Sequence, residues 1–297
     1  MVTAKVALQL VSDSKIRDFY ISSNDKNFGD FDDVVIEIET DREIKTKALR
    51  LHHSNTTRKL TIPQLIGNNG HFSLIRYFHS VQKVQGEVQE FILFTTNPFE
   101  TSKETKSKLE GEEFYLQVIK KTVSEDDFGI SRISENTNYY HTFQIVEDEW
   151  TKKNPEKIQQ YRTFFEHFRI YANQEKFATL RISTINRFIE MFCSNAKSFK
   201  EYVDIISEWD MKEGMKEKLS KKMIQRAIAL CLLSSQIEPV AFGLFTDKMK
   251  ILADAICRFD ITLLERKNSE IVTKLWGDLN KNVDLNELNK VRSLYSL

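Results

Sequence analysis

The sequence lacks the signals that would assign it at once to a common class of protein. It has no glycine-rich phosphate loop, no CxxC pair and no HExxH motif, so the familiar nucleotide and zinc signatures are absent. No internal repeat and no low-complexity tract occurs. The longest uncharged apolar run, at 227–235, is too short to cross a bilayer, so we expect no membrane partner.

Neither sign of charge is in excess, because 43 basic side chains balance 43 acidic ones. No overall field draws the chain to nucleic acid, and any contact with DNA needs a local patch. The three cysteines, Cys193, Cys231 and Cys257, are an odd number within apolar helical patterns, which predicts buried free thiols. With no signal peptide at the N-terminus, we expect an intracellular protein, in the cytoplasm or nucleus.

The first half of the chain shows the period-2 alternation of strands and one helical pattern. Strands are predicted at 33–38, 43–53, 90–96, 114–123 and 139–146. Apolar side chains three residues apart predict a helix at 71–84. This order predicts an α/β domain over 1–150.

Helical patterns replace strand patterns after residue 150. Asn154-Pro155 is typical of a helix start, Ser198-x-x-Glu201 predicts a capping box, and further helices are predicted at 215–235, 246–257 and 261–276. We therefore predict an all-α domain over 151–297. An aromatic stripe is expected in a core or partner interface: Tyr161, Phe164, Phe165, Phe168 and Tyr171. The predicted helical core also contains Phe188, Phe192, Trp209 and Leu230.

One constellation of polar residues points to chemistry. Asp32 and Asp33 head the first strand, while Arg50 and His52 share a face of its hairpin partner. Adjacent carboxylates can hold a hard cation such as magnesium or manganese, and a nearby base can activate water, as a metal-dependent phosphodiesterase requires.

Several runs resemble, in order and spacing, the restriction-endonuclease-like PD-(D/E)xK domain. This domain occurs at the front of many arthropod multidomain proteins and in double-stranded DNA endonucleases of bacterial antiphage effectors. The resembling runs, within about 25–190, are FGDFDDVV, ALRLHHSN, KLTIPQLI, GHFSLIRYFHS, FILFTTNPF and FFEHFRIYANQEKFATL. The resemblance implies a mixed sheet with flanking helices and a metal ligand at Asp32 or Asp33.

The motif implied by this resemblance is degenerate at two positions. Carried over by position, the ligand acid or amide of the family falls on Arg50, its lysine on His52 and its histidine on His53. An arginine cannot ligate a cation, and its charge competes with a divalent metal. We therefore expect Arg50 to form a salt bridge with the aspartates and His52 to form a hydrogen bond or ion pair with one of them.

Two other roles stay open at this point. Either His52 or His53 could join the aspartates in a zinc or manganese site, but adjacent strand residues face opposite ways, so at most one can. Lys45 and Lys47 lie on the face opposite Arg50 and are poor substitutes for a catalytic lysine.

A basic cluster provides a candidate contact with nucleic acid. It consists of Arg58, Lys59, Arg76, His79 and Lys83, which could touch phosphates or form an ordinary solvated face.

The leading hypothesis is a pseudoenzyme: a catalytically impaired nuclease-like protein, without a cofactor, that binds a protein partner or double-stranded DNA. A second hypothesis is an active metal-dependent DNA endonuclease with a relocated site, using Asp32, Asp33, Glu37 and His52 with magnesium or manganese. A third is a purely structural interaction protein. The sequence leaves the oligomeric state open.

Overall fold

The structure, a computed structural model, describes residues 1–54, 58–68, 70–100, 106–123, 139–192, 194–212 and 217–234. It divides into two compact units. The larger contains Phe19–Leu180, and the other contains Met1–Asp18 with the chain from Arg181 onward. The larger unit continues past the predicted boundary at 150, because side chains from 155–170 complete its core. Because residues 235–297 lie outside the described residues, the domain boundary predicted near 150 stays a prediction for the whole chain.

The larger unit is built on strands joined by short helices. Its strands are β1 (Asp18–Ser22), β2 (Val34–Glu39), β3 (Ile44–His52), β4 (Glu90–Thr95), β5 (Lys106–Lys108), β6 (Tyr115–Thr122), β7 (Tyr139–Ile145) and β8 (Phe168–Tyr171). Its helices are a 3-10 segment (Lys26–Phe31), α2 (Ile62–Ile66), α3 (Leu74–Val81), α4 (Glu149–Lys153) and α5 (Pro155–His167). A helix α1 (Val2–Ser12) precedes β1 in the chain. The five predicted strands and the helix predicted at 71–84 are confirmed, with ends shifted by up to three residues.

The strands of this unit form a mixed sheet in the order β5-β6-β7-β8-β4-β3-β2-β1. β2 and β3 form an antiparallel hairpin in which Val34 lies opposite Leu49. β4 runs parallel to both β3 and β8. Since Asp32 and Asp33 directly precede β2, the hairpin register brings them beside Arg50 near the end of β3.

An aromatic cluster fills the core on one face of this sheet. The ring centroid of Phe31 lies 5.2 Å from the ring centroids of both Tyr77 and Phe91. The ring centroid of Phe164 lies 5.1 Å from that of Phe168. Phe31 and Phe168 are completely buried. The 3-10 segment and α5 are therefore anchored to the sheet by the same group of rings.

The helical pattern predicted after residue 150 is interrupted at residues 168–171. α5 ends at His167, and Phe168–Tyr171 forms the inner strand β8. Phe168 and Ile170 point into the core while Arg169 is half-buried, the alternation of a strand. A four-residue strand is too short to interrupt the helical spacing recognisably. The expected burial is confirmed, because all five rings of the stripe are at most 4% exposed.

The second unit is helical where it is described. It contains α1, most of α6 (Phe177–Phe192), α7 (Ala196–Met211), the two-residue strand β9 (Leu219–Ser220) and α8 (Lys221–Ser234). Phe188, Phe192 and Trp209 are buried as predicted. Side chains at 193, 230 and 257 and the helices predicted at 246–257 and 261–276 lie outside the described residues. No helix among the described residues is long and apolar enough to cross a membrane.

Cys231 is a buried free thiol, as predicted, and burial raises its pKa far above the ordinary value. α7 begins two residues before the predicted cap at Ser198, because the Asn195 side chain accepts hydrogen bonds from the backbone amides of Lys197 and Ser198.

Gly29 has a conformation that only glycine adopts easily. Its φ is +60° and ψ is −125°, and an added Cβ would lie 2.3 Å from Ser80 Oγ. Gly29→Ala is expected to lower the free energy of unfolding by about 1 to 3 kcal/mol, measured by urea denaturation. The control is Gly70→Ala, where φ is +132° but no described atom lies within 4 Å of the added Cβ. Equal losses in the two variants would contradict a specific contact with Ser80.

His141 makes the stability of the larger unit depend on pH. It is 1% exposed on β7 and its ring stacks on Phe99 with centroids 4.2 Å apart. Burial, aided by the charge of Lys120, lowers its pKa from 6.5 to about 4. The folded chain therefore binds fewer protons than the unfolded chain between these values, and stability is lost as pH falls from 6.5 towards 4.

The expected loss from His141 over this window is about 3 kcal/mol. Denaturant unfolding of the native chain and of His141→Gln at several pH values measures it, since the variant should lack this component. His53→Gln is the control, because His53 is exposed. Parallel pH profiles for the native chain and His141→Gln would contradict the prediction.

Candidate functional site

The two aspartates are held in place by the turn that precedes β2. The Phe31 ring anchors the end of the 3-10 segment in the core, and the amide of Asp25 donates to the carbonyl oxygen of Asp32 over 3.2 Å. Asp32 is 5% exposed. Asp33 is tied to the neighbouring strand, because its Oδ2 accepts a hydrogen bond of 2.7 Å from the amide of Leu51.

Two cationic side chains of the protein, Arg50 and Lys26, form ion pairs with this acidic pair. Arg50 Nη1 lies 3.5 Å from Asp32 Oδ1 and 3.3 Å from Asp33 Oδ1, so the predicted salt bridge is confirmed. Lys26 forms an ion pair with the other oxygen of Asp32, Oδ2. All four oxygens of the two carboxylates therefore have a donor from the chain.

The ionisation of these groups follows from that arrangement. Burial raises the pKa of Asp33, and the Leu51 amide and the Arg50 guanidinium oppose this only in part. The ion pair with Asp32 raises the pKa of Lys26. The lysine thus stays protonated at neutral pH, while ionising Asp33 costs more than ionising a carboxyl in water.

These residues do not fit magnesium or manganese. A magnesium ion needs near-octahedral oxygen ligands at about 2.0 to 2.1 Å. Here the oxygens of Asp32 and Asp33 face two cationic side chains and a backbone amide. In the part of the chain that the structure describes, no group of three or more His, Cys, Asp or Glu side chains is placed to hold a metal ion.

His52 lies in an aromatic environment. Its ring packs against Phe72 with centroids 4.4 Å apart and lies 6.2 Å from the ring of His71. Burial, with the nearby His71, lowers its pKa. The expected hydrogen bond or ion pair between His52 and an aspartate is not among the contacts of the described residues, and His53 is exposed.

Glu37 and the two lysines of β3 lie away from the acidic pair. Glu37 is four residues beyond Asp33, which places their backbones about 13 Å apart along a strand. Lys47 forms a buried ion pair of 2.8 Å with Glu90, and Lys45 pairs with Glu43 over 2.9 Å. The relocated site of the second hypothesis, with Glu37 and His52, is therefore not assembled around the aspartates.

The predicted basic cluster is divided by a contact that the sequence did not suggest. Arg76 Nε and Nη2 donate to the two carboxylate oxygens of Asp30 at 2.9 and 2.7 Å. This fork joins the 3-10 segment to α3 and neutralises Arg76. Arg58, Lys59, His79 and Lys83 are exposed.

Sequence reasoning missed Lys26 and Asp30. Both lie in the irregular stretch before β2, where the reversal at Gly29 sets side-chain directions that no helix or strand period predicts. Asp30 belongs to the run GDFDD that drew attention to Asp32 and Asp33, but only the folded turn shows that it faces Arg76.

Scans of this chain against protein-family models, curated proteins and solved structures gave no match.

Proposed function

We propose that the chain is a nuclease-like protein that has lost metal-dependent cleavage and acts by binding a protein or nucleic-acid partner. One observation carries this proposal: Arg50 and Lys26 occupy the oxygens of Asp32 and Asp33 that a catalytic cation would need. Removing a ligand at position 50 and adding a positive charge there both oppose cation binding.

The restriction-endonuclease-like part of the proposal is supported by the placement of the acidic pair. The aspartates stand at the head of one strand of a mixed sheet with flanking helices, and the positions of the resembled motif lie across the hairpin on β3. In this proposal the salt bridge of Arg50 holds the two aspartates in place without a metal. A protein of this kind retains a rigid surface for binding without the hydrolytic step.

The binding part of the proposal is supported by the exposed cations of the predicted basic cluster. Arg58 and Lys59 follow β3, and Lys83 follows α3. Their exposure suits contacts with phosphates or with an acidic protein surface. Arg76 contributes less, because Asp30 already neutralises it.

The test is an assay of the full chain with double-stranded DNA and magnesium, manganese or zinc in turn. We expect no metal-dependent cleavage, and the same result for Asp32→Ala and Asp33→Ala. Binding of intact DNA by the chain, weakened by salt and by the double substitution Arg58→Gln with Lys59→Gln, would identify DNA as the partner. No binding of DNA would indicate a protein partner. Robust cleavage that either aspartate substitution abolishes would refute the proposal.

A further inference from the structure

The sheet of the larger unit has a narrow junction between β7 and β8. Among the described residues these two strands pair at one position only, where His141 lies opposite Ile170. On its other side β7 pairs with β6 over its whole length, Tyr139–Ile145. In the strand order, this single pair therefore joins the pairing of β5, β6 and β7 to that of the remaining strands.

The side chain of His141 is buried at this junction. It is 1% exposed, and its ring stacks on Phe99 with centroids 4.2 Å apart. The ring of Tyr139 meets it in a T-shaped arrangement at 5.4 Å. Such a position suits a neutral imidazole, because a charge between aromatic rings loses its hydration.

The charged groups of the described residues that act on this ring do not include an anion. Lys120 of β6 lies opposite His141, with its Nζ 3.5 Å from the ring centre of Tyr139. The backbone of Ile170 favours the protonated ring, but burial and the charge of Lys120 outweigh it and lower the pKa to about 4. Acid therefore favours a state in which the ring reaches water.

The other end of β7 is held by contacts that do not involve His141. The hydroxyl of Thr142 lies 3.1 and 3.4 Å from the carbonyl oxygens of Phe165 and Phe168, within hydrogen-bond distance of both. The ring of Phe143 packs near the rings of the same two residues, with centroids 5.7 and 6.2 Å away. β7 can thus separate from β8 at Ile170 while its Phe143 end stays in the core.

We propose that His141 is an acid-sensitive switch, whose protonation separates β7 from β8 at the His141–Ile170 pair and leaves the β2–β3 hairpin closed. The opening exposes the backbone edge of β8 that faces β7. The proposal does not depend on the nuclease-like assignment, because the hairpin with the acidic pair lies beyond β4 in the strand order.

Hydrogen exchange of the full chain at pH 7 and pH 4.5, followed by mass spectrometry and corrected for intrinsic exchange rates, tests the switch. Peptides that contain 139–142 and 168–171 should lose protection by about 50- to 100-fold at the lower pH. This factor follows from a pKa of 6.5 in the open junction and about 4 in the closed one. Peptides from β2 and β3 should change by less than about threefold. No loss at the junction, or an equal loss in the hairpin, would overturn the proposal.

Variants separate the titration of His141 from its packing. His141→Phe keeps a ring against Phe99, and its junction should be equally protected at both pH values. Lys120→Met removes a charge that opposes protonation, so its loss of protection should be about threefold smaller than that of the native chain. Lys121→Met is the matched control, because Lys121 is adjacent on β6 and faces the other side of the sheet. A native-sized loss in His141→Phe, or equal results for Lys120→Met and Lys121→Met, would contradict the assignment to His141.

Discussion

Phe168→Ala is expected to lower the free energy of unfolding by about 3 to 5 kcal/mol, the usual cost of removing a buried ring. The ring is fully buried at the start of β8. Its centroid lies 5.1 Å from that of Phe164, 5.8 Å from that of Tyr77 and 6.1 Å from that of Phe31. Alanine would leave a cavity among rings that belong to α5, α3 and the 3-10 segment, which cannot all close over it.

Urea denaturation of the full chain measures this loss, and Phe177→Ala is its control. Phe177 is 54% exposed at the start of α6, so its removal should change stability by less than about 0.5 kcal/mol. A loss below about 1 kcal/mol in Phe168→Ala would mean that the aromatic cluster is not the core of the larger unit.

Removing the two cationic side chains that pair with the aspartates should open the acidic pair to metal. A chain with both Lys26→Gln and Arg50→Gln is expected to bind manganese measurably, at least about tenfold more tightly than the weakest binding that could be detected in the native chain. The physical reason is that Asp32 loses both of its ion pairs and Asp33 loses one, while glutamine at position 50 provides an amide oxygen.

Calorimetric titration with manganese compares this double variant with the native chain. Lys45→Gln is the matched control, because it removes one positive charge from the other face of β3, where Lys45 pairs with Glu43. An increase in Lys45→Gln equal to that in the double variant would show a general charge effect. No increase in the double variant would show that these two cationic side chains do not limit metal binding.

The regular strands could be predicted because burial on one face imposes a period of two. β2 follows that period over residues 36–39, and its pairing with β3 then places Arg50 beside the aspartates. β1 and β8 have only five and four residues, so their alternation is short and the sequence analysis did not predict them as strands. β8 was also obscured because Phe168 continues the three- and four-residue spacing of the aromatic side chains of α5.

The candidate site could be predicted only where strand geometry determines it. The salt bridge of Arg50 follows from pairing along the hairpin, so the sequence was sufficient. The ion pairs of Lys26 and Asp30 depend on the turn at Gly29 and on the position of α3, which local patterns do not contain. The packing of His52 on Phe72 depends on the loop before α3, which the strand pattern does not contain.

A manganese titration of the native full chain, followed by the electron paramagnetic resonance signal of free Mn²⁺, tests the central claim most directly. The chain with both Asp32→Asn and Asp33→Asn defines the background. Because Arg50 and Lys26 already occupy the acidic pair, the native chain is predicted to bind no more manganese than this background. Saturable binding of one manganese ion by the native chain, lost in the doubly substituted chain, would contradict the claim.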